Sequence, residues 1–308
     1  MNQSTSTILM IKPVRFGYNE QTAESNAFQT NIDLKAEEAQ VNALKEFDAF
    51  VAMLYSNGVN VIVIDDTPSP HTPDSIFPNN WISFHDNGDI LLYPMQAENR
   101  RLERRKDIIR QLEESYSVKH VIDLSHFEEL NQFLEGTGSM VLDRINKIAY
   151  ACLSPRTDAE VLEAFSKQEN YKVLLFNSVD ANNQPIYHTN VVMCIGTAFA
   201  VICLDSIKDA QEKQLVVNTL KQSGKEVIDI TFEQMNQFAG NMLEVESISG
   251  EKLLVMSQKA YQSLTAEQVT ILSKYARLIY ADLDTIETLG GGSARCMLAE
   301  VHLPKIVA

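Results

Sequence analysis

Positive charge is scarce in this chain: 26 Lys and Arg stand against 41 Asp and Glu, a net charge of −15. Such a balance repels a phosphate backbone, which argues against nucleic acid as a partner and for a small molecule. Long apolar runs are missing too. The stretch 191–204 comes nearest, but it is interrupted and shorter than the roughly 20 residues a membrane span needs. The start MNQSTSTILMIKP has no basic segment leading into a long apolar one, so no signal peptide is expected and the protein reads as cytoplasmic. The four cysteines, Cys152, Cys194, Cys203 and Cys296, form no CxxC pair, and the six histidines form no HxxxH or HxH pair. Neither a metal nor a cofactor is therefore expected. Three of the cysteines lie in apolar strand-like runs and are expected to be reduced and buried. No low-complexity segment and no long linker interrupts the 308 residues, of which 45% are hydrophobic, so one catalytic domain over 1–308 with a sizeable core is predicted. Nothing in the pattern fixes or excludes a homo-oligomer.

What the chain does have is repetition. Five short hairpin-like stretches open near Asn80, Gly138, Asn190, Asn241 and Cys296, at gaps of 58, 52, 51 and 55 residues. A spacing that regular predicts one supersecondary unit repeated around an axis. The turns fall at Asn87–Gly88, at 145–147, at Gly196–Thr197 and at Ser249–Gly250. Helical periodicity covers 34–55, 101–114, 158–167, 209–222 and 266–275, the last introduced by Thr265 and Gln268 at capping-box spacing. Strands are expected at 8–14 and 60–64. The alternation of hairpin, helix and strand predicts an α/β assembly with pseudo-fivefold repeats around a central site.

The openings carry the reactive side chains: Asp74, Asn79 and Asn80 before the first, Glu135 before the second, His188 before the third, Asn241 at the fourth and Cys296 at the fifth. In LGGGSARCM, three glycines let the backbone approach a ligand, and Arg295 places positive charge beside the thiol, favouring a thiolate. An unperturbed imidazole titrates near neutral pH, so His188 suits proton transfer. Glu135, between Leu134 and Gly136, suits orienting that histidine or accepting from substrate nitrogens. Each has a plainer alternative: a core cysteine in a glycine-rich turn, a surface histidine at a strand start, a solvated glutamate. Glu128 and Glu129 are read as that last case. The polar loop 16–26 is a candidate lid or an ordinary surface loop.

PDSIFPNNW from Pro73, ENRR from Glu98, LEGTGS from Leu134, LSPRTD from Leu153, YHTN from Tyr187, GNMLEV from Gly240 and GGGSARCM from Gly290 follow one another in repeat phase. Together they resemble the guanidine-modifying enzymes of the pentein fold: arginine deiminases, dimethylarginine hydrolases and amidinotransferases. The N-terminal MIKPVRFGYNEQTAESNAFQ is similar to the branch described as citrulline-utilisation hydrolases. The resemblance spans nearly the whole chain and implies a five-bladed α/β propeller. It implies Cys296 as nucleophile, His188 as general acid/base, Glu135 as the carboxylate holding substrate nitrogen, Asp74 as a substrate contact, and Arg100 and Arg156 as the grip on the substrate's α-carboxylate. The plainer readings of the arginines are an exposed helix start and a loop salt bridge.

One departure bears on substrate. Where many relatives carry an acidic pair after the PDxxF motif, this chain has Asn79 and Asn80. Amides offer donors and acceptors without charge, so a cationic guanidinium loses a partner that a neutral ureido group never needed. The expectation is a cysteine hydrolase acting on a citrulline-like or arginine-like amino acid, with citrulline to ornithine favoured. An amidinotransferase, an arginine or dimethylarginine hydrolase, and a non-catalytic binding protein on the same scaffold are the alternatives.

Overall fold

The computed structural model describes residues 2–32 and 34–306. Two strands open the chain, β1 (Thr7–Lys12) and β2 (Asn60–Asp65), joined by the helix Ala36–Ser56. Four strand triplets follow: β3 (Ile82–Phe84), β4 (Asp89–Leu92) and β5 (His120–Asp123); β6 (Val141–Asp143), β7 (Ile148–Cys152) and β8 (Lys172–Phe176); β9 (Met193–Ile195), β10 (Phe199–Ile202) and β11 (Glu226–Asp229); β12 (Leu243–Glu246), β13 (Lys252–Ser257) and β14 (Arg277–Ala281). A last strand, β15 (Ala299–Glu300), completes the set. In each triplet the first two strands pair antiparallel across a tight turn and the third adds parallel to the second. A parallel addition needs a crossover, and helices supply it: Lys106–Glu113, Ala159–Glu169, Ala210–Gln222 and Ala266–Leu272.

Local sequence explains most of these elements. Gly88 and Gly250 take positive φ at two hairpin turns, where a Cβ would be strained. Asp158 and Asp209 cap their helices by accepting backbone N–H groups of the first turn. Thr265 and Gln268 form the reciprocal capping box that their spacing predicts. Elsewhere the boundaries move. The helix expected over 101–114 is two pieces, Glu98–Arg101 and Lys106–Glu113. The helix expected to reach 275 ends at Leu272, and the third hairpin begins only at Met193, because Thr189–Val192 is a helical turn.

The fifth unit is no hairpin in sequence. β15 pairs antiparallel with β1, Ile8 opposite Glu300, and β1 pairs parallel with β2. The two ends of the described chain thus build one sheet with the same arrangement as the other four. Apolar clusters join neighbouring units: Leu91 and Tyr93 of the first with Leu142 and Ala149 of the second, Tyr150 of the second with Val201 of the third and Leu254 of the fourth, Val245 of the fourth with Ile8 of the fifth. Leu9 and Ala299 return to Ile82 and Ile90 of the first. Among the described residues no helix is long and apolar enough to cross a membrane.

Candidate active site

Every unit opens on the same backbone device, a single tight turn in which an N–H returns to the carbonyl three residues earlier. The bonds are Asn80 to Phe77, Gly138 to Glu135, Val191 to His188, Asn241 to Phe238 and Cys296 to Ser293. The turns Pro78–Asn80, Gly136–Ser139, Thr189–Val192 and Ala294–Met297 pack on one another, which collects side chains from distant sequence. That nesting needs bare backbone. A Cβ on Gly138 would lie 2.8 Å from His188 Nδ1, and one on Gly240 would meet the Val191 carbonyl. Gly138, three residues after Glu135, therefore makes room for the neighbouring site residues Asn80 and His188.

Asp74, Asn80, Arg100, Arg156, His188 and Cys296 line one pocket, together with Asn26, Phe77, Tyr187 and Gly290 to Gly292. Its volume is ≈ 10 Å³, about enough for one water molecule. Of the acid–base pair, His188 lines the pocket and Glu135 lies fully buried behind it, outside the lining. His188 Nε2 lies 2.8 Å from Glu135 Oε2, while Glu135 Oε1 accepts the Gln96 N–H at 3.0 Å. Burial alone would raise Glu135, but Arg156, His188 and Arg100 together hold it well below the usual carboxylate range. Burial drives His188 below the ordinary imidazole value, opposed by its bond to Glu135. At neutral pH the site therefore holds an ionised Glu135 and an uncharged His188.

Cys296 is buried, with Asn241 Nδ2 at 3.3 Å and Asn190 Nδ2 at 3.5 Å from its sulfur. Arg295, the sequence candidate for activating it, turns away: Nη1 donates to the Leu298 carbonyl and Nη2 pairs with Glu300 at 2.8 Å. Its charge still acts on the adjacent sulfur, but its donors are directed at Glu300 and the Leu298 carbonyl. The other three cysteines are free and buried, as their apolar settings suggested.

The arginines differ from one another. Arg100 is saturated by the protein: Nε and Nη2 each meet Glu103 at 2.9 Å, Nη1 donates to Asn80 Oδ1 at 2.9 Å, and Nη2 also reaches the Phe77 carbonyl. Few of its donors therefore remain free for a ligand's carboxylate, although it lines the pocket. Arg156 is held from outside, by Ser25 Oγ at 2.7 Å and the Thr22 carbonyl at 3.1 Å, and stacks over Tyr187. Both partners belong to the loop 16–26, which carries the short helix Glu20–Ala23 and covers the site. From the same loop Asn19 donates to Asp74 Oδ2 at 2.7 Å, leaving Asp74 Oδ1 without a partner. Burial raises Asp74, against Arg100 and Asn19.

The asparagine pair divides. Asn80 lines the pocket; Asn79 does not, and donates instead to Thr137 Oγ1 of the neighbouring turn. Consecutive residues on a tight turn point different ways, so only Asn80 of the two faces the pocket. Glu128 is likewise no free surface charge, since it clamps Arg104 and the Met95 N–H. Sequence reasoning passed over Glu103 and the sulfur-facing role of Asn190 and Asn241. Repeat phase was the available signal for the last two, because both sit at unit openings.

The structure is similar to that of ArgZ, an arginine dihydrolase from the ornithine–ammonia cycle in cyanobacteria. Against its N-terminal domain bound to substrate the TM-score is 0.75 at 15% identity, covering 97% of this chain and 98% of that one. Against whole apo ArgZ the values are 0.76 and 16%, and the chain spans only 41% of ArgZ's length. A dimethylarginine dimethylaminohydrolase in adduct with S-methyl-L-thiocitrulline matches at a TM-score of 0.64 and 15% identity, over 96% of this chain and 98% of that one. At such identities the likeness is one of fold. No curated protein matches in sequence. The family model described as N,N dimethylarginine dimethylhydrolase, eukaryotic, matches residues 12–303. The chain therefore belongs to that family, among the guanidine-modifying enzymes built on five three-stranded sheets, the pentein fold.

Proposed function

We propose that residues 1–308 form one catalytic domain, a cysteine hydrolase that cleaves the ureido carbon–nitrogen bond of a citrulline-like amino acid and releases ornithine. The orientation of Asn80 carries this reading. Arg100 Nη1 is an obligatory donor, so the Asn80 atom facing it at 2.9 Å must be the oxygen. The amide nitrogen is thereby turned the other way, and it has no hydrogen-bond partner among the described residues. A ureido oxygen accepts from that N–H. A guanidinium has only donors and would face it unpaired, at a cost that a buried polar site makes large. Asp74 Oδ1 remains as an acceptor for a ureido N–H group.

The chemistry follows from the protonation states. Cys296 sulfur attacks the ureido carbon as uncharged His188 takes the thiol proton. The tetrahedral adduct collapses by breaking the bond to the side-chain nitrogen, which leaves as the ornithine amine with that proton. His188 then takes a proton from water as its oxygen attacks the S-carbamoyl carbon; the thiolate departs, and the carbamate decomposes to ammonia and carbon dioxide. Arg156, once released by Ser25 and Thr22, is shaped to hold the α-carboxylate. The small pocket requires loop 16–26 to lift for substrate entry.

The carboxylate at the pocket, Asp74, with Glu135 behind His188, favours a second reading in which arginine is the substrate. Incubation of the purified protein with citrulline, arginine, dimethylarginine and agmatine, with assay of ornithine, citrulline and ammonia, separates them. Ornithine from citrulline is the expected product; rapid arginine turnover with none of citrulline overturns the proposal. A rate that depends on an added amine would mark an amidinotransferase instead.

A further inference from the structure

A buried sulfur becomes a thiolate only if something stabilises its charge, because desolvation favours the neutral thiol. The usual sources are accounted for elsewhere in this site. Arg295 is paired with Glu300, and His188 is hydrogen-bonded to Glu135. A ureido substrate brings no positive charge. Arg295 acts on the sulfur only through its charge, and the groups that donate to it directly are two side-chain amides, from the opening turns of the third and fourth units.

Their orientation is set by the backbone. Asn241 Oδ1 accepts the Arg295 N–H at 3.0 Å, which fixes that atom as oxygen and aims Nδ2 at the Asn190 carbonyl, 2.9 Å away, and at Cys296 Sγ, 3.3 Å away. The thiol's own reach to Asn241 Oδ1 is longer, 3.7 Å. Asn190 Nδ2 adds a second contact at 3.5 Å, and Asn190 Oδ1 has no partner. Two N–H groups thus converge on one sulfur, each stronger when that sulfur is ionised.

We propose that Asn190 and Asn241 are catalytic residues that form a donor pair stabilising the Cys296 thiolate as His188 takes its proton. The same contacts serve again when the thiolate leaves the S-carbamoyl carbon, since the departing negative charge returns to the same two N–H groups. This rests on Cys296 being the nucleophile, as the proposed function has it.

The test needs no substrate. Iodoacetamide alkylation of the full chain is followed from pH 5 to 10, with the Cys296 peptide quantified by mass spectrometry. Cys152, Cys194 and Cys203, which burial pushes up to about 11, 12 and 11, serve as internal controls. Asn190→Ala is the cleaner variant, because the side chain's hydrogen bond is to the sulfur alone. Its Cys296 profile is expected to move up by roughly one pH unit, about a tenfold slower reaction on the acid side. Asn241→Asp keeps the acceptor for the Arg295 N–H while replacing the donor with a negative oxygen, and should move it further. An unshifted profile in folded Asn190→Ala overturns the inference, even if wild type turns over citrulline. A shifted profile in a protein that leaves citrulline untouched supports the donor pair and sinks the substrate assignment instead.

Discussion

Four units close their antiparallel strands across a turn of a few residues; the fifth closes Ile8 against Glu300. The first four are local objects, each specified by a Gly or Asn turn and alternating strand residues. The fifth exists only once the rest of the chain has brought its ends together. Yet the fifth unit carries Cys296 on the turn leading to β15, so the sulfur meets His188, Asn190 and Asn241 only through that closure. Closure is reinforced by a buried ion cluster: Glu300 accepts from Arg295 at 2.8 Å and lies within 3.5 Å of Arg144 and 3.4 Å of His302. Burial would raise Glu300, but Arg144 and Arg295, with the hydrogen bond from His302, hold it far below the usual carboxylate range. The local units supply the scaffold, and the long-range one supplies the chemistry.

Substitutions can break that contrast in turn. Cys296→Ala, in the closing unit, should reduce product formation to background while circular dichroism stays that of the parent; residual turnover of the pure variant would end covalent catalysis. Asn80→Asp, in a local unit, should exchange the pocket's donor for an acceptor. The ratio of citrulline to arginine kcat/KM is then expected to fall by roughly 10- to 100-fold, and an unchanged ratio would remove the argument from amide orientation. Glu300→Leu leaves two buried guanidinium groups without their carboxylate and should cost about 3–5 kcal/mol in denaturant unfolding. A loss under 1 kcal/mol would show that closure depends on apolar packing alone.

Smaller effects sharpen the comparison. Thr265→Ala removes the capping box of the Ala266–Leu272 helix, in a local unit distant from the pocket, and should cost about 1 kcal/mol with kcat unchanged. The pH profile tests His188. Because burial depresses its protonation, the imidazole stays uncharged below the ordinary value of about 6.5, so the acid limb of kcat/KM assigned to it should lie below that pH. A limb at higher pH would mean that the Glu135 hydrogen bond outweighs desolvation.

Much of this was legible before any coordinates. Repeat phase located all five openings, and two-residue turn signals placed the hairpin bends, because both depend on contacts within a few residues. The short helix Phe232–Asn236 went unread although Thr231 and Gln234 form a capping box, since one and a half turns show no apolar period. The different facing of Asn79 and Asn80, the diversion of Arg295 to Glu300 and the saturation of Arg100 by Glu103 were not legible. Each turns on which neighbour a polar group finds after folding.

The sequence by itself determined the unit: strand, turn, strand, helix, strand, with a reactive or amide residue at each opening. Tertiary structure alone decided that the chain's ends complete the fifth sheet, that one asparagine of a pair meets the pocket, and that a buried sulfur faces two amide donors. Hydrophobic alternation and turn chemistry act over a few residues and are written into local order. Hydrogen-bond orientation and charge pairing depend on groups tens to hundreds of positions apart, and they are fixed only when packing leaves each buried donor one partner within reach.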